Sequence, residues 1–212
     1  SRSNKIATQF SARCLRWHSL GFNDFNTFYG NFMKSLQTNG KDLKQQEASI
    51  KKIEKLLKIN VQKNMFDWMG SELAIAQYET DVLIGNKVKS IVAIKAKDIA
   101  LAKQELAYIE QQIRRRTPIR FTDIAYNGYD IHYLEIKGLF KAFMGELFSK
   151  IEKPYYTSIG DYVGMSDDPK TLLLTIDDFN AQKTLSNKAA YRAFRTQFAE
   201  QTSVLAYVSP NH

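Results

Sequence analysis

The chain has 212 residues, 44% of them hydrophobic and 25% charged, which excludes a disordered chain and suits one domain with a core of its own. Thirty basic residues against 22 acidic ones give a net charge of +8, a mild attraction for polyanions spread over a mixed surface. No run approaches the roughly 18 apolar residues of a membrane span, and the single cysteine, Cys14, excludes an internal disulfide.

In chain order, "RCLRWHSLG" reads as a strand that enters a helix near Asn23. Phe25, Phe28, Phe32 and Leu36 recur at spacings of three and four, one apolar stripe, and Gly40 is placed to cap that helix. A second helix carries Leu43, Ile50, Ile53 and Leu57 on one side, and a short segment with Met65, Phe66 and Trp68 stops at Gly70. The period then changes to that of strands over Glu72 to Glu79 and Val88 to Ala96, which reads as a hairpin. Asp98 is the cap of a helix whose face is Ile99, Ala102, Leu106, Ile109 and Ile113, and Pro118 requires that helix to have ended.

Two strands meet at Asn127-Gly128, the strongest short hairpin signal. Leu139 to Ile151 is the most lopsided helix, with apolar residues over nearly half its circumference. Two further strands around Gly160-Asp161 lead into a helix after "SDDP", then a helix capped by Ser186 with Ala190, Phe194 and Phe198 as its core face, and a last strand "SVLAYVS". This order predicts one α+β domain over residues 1–212, with a mainly antiparallel sheet built from hairpins and helices packed on one side.

The sequence holds no glycine-rich phosphate loop, no His-Glu-x-x-His and no Gly-x-Ser-x-Gly. His18 and His132 stand in strands without a second histidine at ligand spacing, and Cys14 reads as a small apolar filler. No catalytic residue, metal site or cofactor is expected. Two surfaces invite binding. Phe140, Phe143, Met144 and Phe148 offer an adaptable apolar surface for a lipid or other apolar ligand. Arg114, Arg115, Arg116 and Arg120 offer a polyanion contact, although three of them also suit the negative end of a helix dipole, and stacking aromatics for nucleic acid are not interleaved with them. Tyr129 and Tyr133 share one strand face and read as packing.

Asp161, Asp167, Asp168, Asp177 and Asp178 crowd 25 residues and raise the question of a metal. Asp161 suits a turn after Gly160, and Asp167 or Asp168 suits a helix cap before Pro169. Asp177 and Asp178 lie about a helix length away, roughly 15 Å, too far to share an ion with the cap. They read as punctuation and as the polar end of a helix.

The succession "FDWMGSELAIAQ", "VAIKAKDIALAKQEL", "YNGYDIHYL", "YYTSIGDYVGMSDDPKTLLLTIDDF", "TLSNKAAYRAF" and "VLAYVS" resembles a family of bacterial envelope proteins classed as a domain of unknown function. Its Trp-x-Gly-x-Glu-x-Ala segment is matched at Trp68, Gly70, Glu72 and Ala74. Its helix start is matched at Ser166 and Pro169, and its Leu-Ser-Asn step at Leu185, Ser186 and Asn187. The resemblance implies a membrane-anchored, extracytoplasmic α+β region without established activity. The chain opens Ser1-Arg2-Ser3, and we expect a piece of a longer anchored protein. The expected role is a non-enzymatic structural or interaction module. The alternatives are apolar-ligand or lipid binding and polyanion binding, with a protein or an apolar molecule as partner and nucleic acid disfavoured.

Overall fold

The structure, a computed structural model, describes residues 5–38, 43–79, 88–134, 142, 151–152, 154–196 and 204–208. Eight strands form one antiparallel sheet: β1 (Arg16–Gly21), β2 (Met69–Glu79), β3 (Val88–Ala96), β4 (Ile124–Tyr126), β5 (Tyr129–Tyr133), β6 (Tyr155–Ile159), β7 (Tyr162–Ser166) and β8 (Val204–Val208). Their order across the sheet is β4-β5-β6-β7-β3-β2-β1-β8. The described helices are α1 (Phe25–Thr38), α2 (Leu43–Leu57), α3 (Ile99–Arg116), α4 (Pro169–Asn180) and α5 (Ala189–Arg195), with a π turn at Gln62–Phe66. The α+β class and the antiparallel sheet are as expected from the sequence.

Local chemistry accounts for the junctions. Asn127 and Gly128 both take positive φ, the requirement of the two-residue turn that joins twisted strands without splaying them. Gly160 takes φ +56 and opens the β6–β7 turn, where the register closes Ile159 on Tyr162. Asp98 accepts hydrogen bonds from the amides of Ala100 and Leu101, and Asp168 accepts one from Lys170 with Pro169 in the first turn. The last helix starts later than expected. Ser186 belongs to a 3-10 turn, α5 begins at Ala189, and Tyr191 is its buried residue in place of Ala190. Gly40, Phe198 and the helix expected over 139–151 lie outside the described residues, apart from Ala142 and Ile151, which are both buried.

The expectation that helices pack on one side is corrected: they cover both faces. Alternation in β3 shows why. Val92, Ile94 and Ala96 join a core with Phe25 of α1, Leu57 of α2 and the apolar stripe of α3. Ile91 and Ala93 join a second core with Leu172 and Ile176 of α4 and Tyr191 of α5. A strand apolar on both sides needs two covers, so the continuous run "IVAI" encodes a central strand. The helices before β4 take the first face, and those after β7 take the second.

The motif Trp68-x-Gly70-x-Glu72-x-Ala74 has a structural meaning at each position. Trp68 is fully buried and donates its indole N–H to the carbonyl of Asn64 at 3.0 Å. A Cβ on Gly70 would stand 2.8 Å from the Lys95 carbonyl oxygen, so only glycine lets the two backbones approach. Glu72 is buried and accepts the Tyr162 hydroxyl at 2.8 Å. Ala74 is fully buried on the second face.

Candidate functional site

The first face carries two candidate sites, one at each end of the sheet. At the β5–β6 end, Glu110 of α3, Asp123 of the loop before β4 and His132 of β5 each bring a ligand-type atom within 4.8 Å of the others. The Nδ1 of His132 lies 3.2 Å from the Oδ2 of Asp123 and 3.5 Å from the Oε1 of Glu110. It makes no hydrogen bond with either, although the atom is buried. Tyr156 of β6 donates its hydroxyl to Glu110, and its ring stacks on His132 with centroids 4.8 Å apart. The guanidinium of Arg114 lies 3.7 Å from the other oxygen of Asp123 and over the ring of Phe121.

Burial pushes the Glu110 carboxyl above its ordinary value, against the opposing pull of the Tyr156 hydrogen bond and the His132 and Arg114 charges. Burial and then the neighbouring Glu110 charge push the Tyr156 phenol far up, so it remains a donor across the accessible pH range. None of these four polar residues was singled out together from the sequence, since they stand at 110, 123, 132 and 156. One signal was present. Glu110 follows Ile109 and precedes Ile113 on the apolar face of α3, and a buried acid on a core face demands a partner.

At the other end, β8, β1, β2 and β3 form the floor of a cavity of about 340 Å³. Cross-strand register sorts its lining into rows. Val204 of β8 opposes Leu20, and Leu20 opposes Leu73. In the next row His18 opposes Ile75, which opposes Val92. In the third row Gln77 opposes Ser90, and Arg16 of β1 stands opposite Gln77 on the same face. Ile151 also lines the cavity. The surface therefore grades from aliphatic to hydrogen-bonding and cationic along the strand direction. Val204 at its rim is 63% exposed, a large apolar side chain left in water.

The arginines do not converge. Arg114 turns to Asp123, the Nε of Arg116 donates back to Gln112 at 2.7 Å, and Arg120 donates to the carbonyls of Thr117 and Ile119. Arg115 is exposed. Phe140, Phe143, Met144 and Phe148 lie outside the described residues. Cys14 is fully buried and donates its thiol to the Arg16 carbonyl, and burial pushes its pKa up to about 12, as befits a filler.

The aspartates are more than punctuation. Asp161 and Asp168 hold the turn and the cap, and Asp167 accepts the Glu152 amide. Asp177 accepts the Tyr126 hydroxyl and the Asn127 amide at 2.8 Å each, clasping the β4–β5 hairpin to α4. Asp178 is buried and accepts from Ser11 and from two nitrogens of Arg13, at 3.1 and 2.9 Å. Two acids in a last turn oppose the helix dipole. These specific partners offset that cost. No family model matches this chain, and neither does any curated protein or solved structure.

Proposed function

We propose that the chain is a binding module for an amphipathic apolar molecule, an acyl chain with a polar head, seated on the sheet face between β8 and β3. The carrying observation is the cavity of about 340 Å³, within the size of sites that bury a small ligand. The aliphatic row of Leu20, Leu73 and Val204 takes the tail. His18, Gln77 and Ser90 take the head, with Arg16 beside them favouring an anionic one. Within the site the protein supplies apolar contact and hydrogen bonds, the chemistry of binding rather than of turnover. The reading keeps the non-enzymatic role and the setting in an anchored extracytoplasmic protein. The order of the motifs from Trp68 to Val208 supports that setting. Protease accessibility of the full-length gene product in intact cells tests it.

Titration with a dansyl-labelled undecanoic acid tests the site. The expected result is saturable uptake of one molecule per chain, lost in Ile75→Trp, which fills the floor, and weakened about tenfold when the probe's carboxylate is esterified. A probe that does not saturate, or that binds equally to Ile75→Trp, overturns the reading.

A further inference from the structure

Beyond the apolar cavity, and independent of it, we propose that Glu110, Asp123 and His132 form a binding site for a divalent first-row metal ion of zinc type. The three residues come from three separate elements, and their ligand atoms already lie within 4.8 Å of one another. Zinc holds nitrogen at about 2.0–2.1 Å and carboxylate oxygen at about 2.0–2.2 Å, so tetrahedral ligands stand about 3.3–3.5 Å apart. The Nδ1 of His132 lies 3.2 Å from Asp123 and 3.5 Å from Glu110. Two edges of a tetrahedron are therefore in place before any ion is added.

A second observation concerns the nitrogen itself. The Nδ1 is buried and makes no hydrogen bond, although two carboxylate oxygens lie at ion-pair distance. An N–H on that atom aims at neither oxygen. With the proton on the other ring nitrogen, the Nδ1 lone pair is free to take an ion held between it and the two carboxylates. A buried nitrogen without a partner costs free energy that coordination removes.

The surrounding groups have the pattern of an outer shell. Tyr156 donates to Glu110 and stacks on His132, orienting both. Arg114 faces one oxygen of Asp123 while the other faces His132, so a single oxygen is presented to the site. Outer partners of this kind fix the direction of ligand lone pairs. An imidazole nitrogen with two carboxylates argues against calcium or magnesium, which take oxygen sets. Asp123 is exposed, so the fourth position opens to water or to an outside ligand. Such an ion would join α3, the loop before β4 and β5, three segments that nothing local in the sequence holds together.

Zinc titration by calorimetry of the chelator-treated protein tests the site. The expected result is one zinc per chain. Affinity should fall about a hundredfold or more in His132→Gln and in Asp123→Asn, and about tenfold or more in Tyr156→Phe, which keeps the ring and removes the hydroxyl. Glu47→Gln, an exposed acid of α2, should bind zinc as the parent does. Cobalt should give the intense visible absorption of a tetrahedral centre, bleached by Asp123→Asn. Zinc at a hundredfold excess over Kd should raise the melting temperature by about 5–10 °C. Asp123 lies on an exposed loop, so Asp123→Asn decides the matter even if His132→Gln fails to fold. Absence of stoichiometric zinc, or stoichiometric zinc that Asp123→Asn leaves unchanged, overturns the proposal. Neither result bears on uptake of the dansyl acid.

Discussion

On the face covered by α4 and α5, Trp17, Tyr191 and Tyr207 meet edge to face, with ring centroids 5.5 and 5.3 Å apart, over a bed of Ala74, Ala76 and Ala93. On the face covered by α1 to α3, a comparable core occupies the middle of the sheet. Toward its two ends that face holds an aliphatic cavity and a knot of ionisable groups. The closed face places one buried acid, Asp178, against Arg13 and Ser11, where charge and hydrogen bonds are matched. The open face places Glu110 between a histidine and a tyrosine, where burial works against the charge. One face is therefore optimised for cohesion. The other carries, beside its core, a cavity at one end of the sheet and a cluster of ionisable groups at the other.

Neighbouring residues of one strand test the contrast most sharply. Trp17 is fully buried on the closed face, and His18 points to the cavity on the open one. Trp17→Ala should cost about 3–5 kcal/mol, and His18→Ala less than about 0.5 kcal/mol, measured by urea denaturation. A similar cost at both positions would abolish the distinction between the faces.

A smaller effect tests the matched acid. Removing the guanidinium in Arg13→Ala leaves the Asp178 carboxylate buried with Ser11 as its main partner. The arginine side chain is 62% exposed, so much of its own interaction is screened. The expected cost is about 1–3 kcal/mol, below that of a fully buried pair. Restoration by Arg13→Lys should be incomplete, because Arg13 binds through two nitrogens.

The smallest effect concerns pH. The folded value of Glu110 is raised above its ordinary 4.5. An acid raised by folding binds its proton more tightly in the native state. Its contribution is therefore complete below about 4.5 and is lost as pH rises through the folded value. The stability of the parent relative to Glu110→Gln should fall with rising pH over that window and be flat above it. A difference independent of pH would overturn this reading of Glu110.

How much of this was legible in the sequence follows from the range of the interactions. The hairpins at Asn127-Gly128 and Gly160-Asp161, the caps at Asp98 and Asp168 and the stripe of α3 depend on residues a few positions apart, and each is present where expected. The two-sided burial of β3 was written in "IVAI" as a run without alternation. Asp177 and Asp178 were legible as polar and as the end of a helix. Their partners Tyr126, Asn127, Ser11 and Arg13 were not, because they lie 50 to 167 residues away. The same distance concealed the site at Glu110, Asp123 and His132. A lone histidine in a strand has no ligand spacing until folding sets a helix and a loop against it.

By itself, then, the sequence determined the α+β class and the junctions at Asp98, Asn127-Gly128, Gly160 and Asp168, since backbone geometry and capping there are satisfied by near neighbours. Tertiary structure alone decided that β8 pairs with β1, that β3 pairs with β7 and that helices divide between two faces. Those choices depend on which remote surfaces exclude water together. They also build both candidate sites, because the graded row from Val204 to Gln77 and the Glu110–His132 pair exist only across strands and helices that the chain order keeps apart.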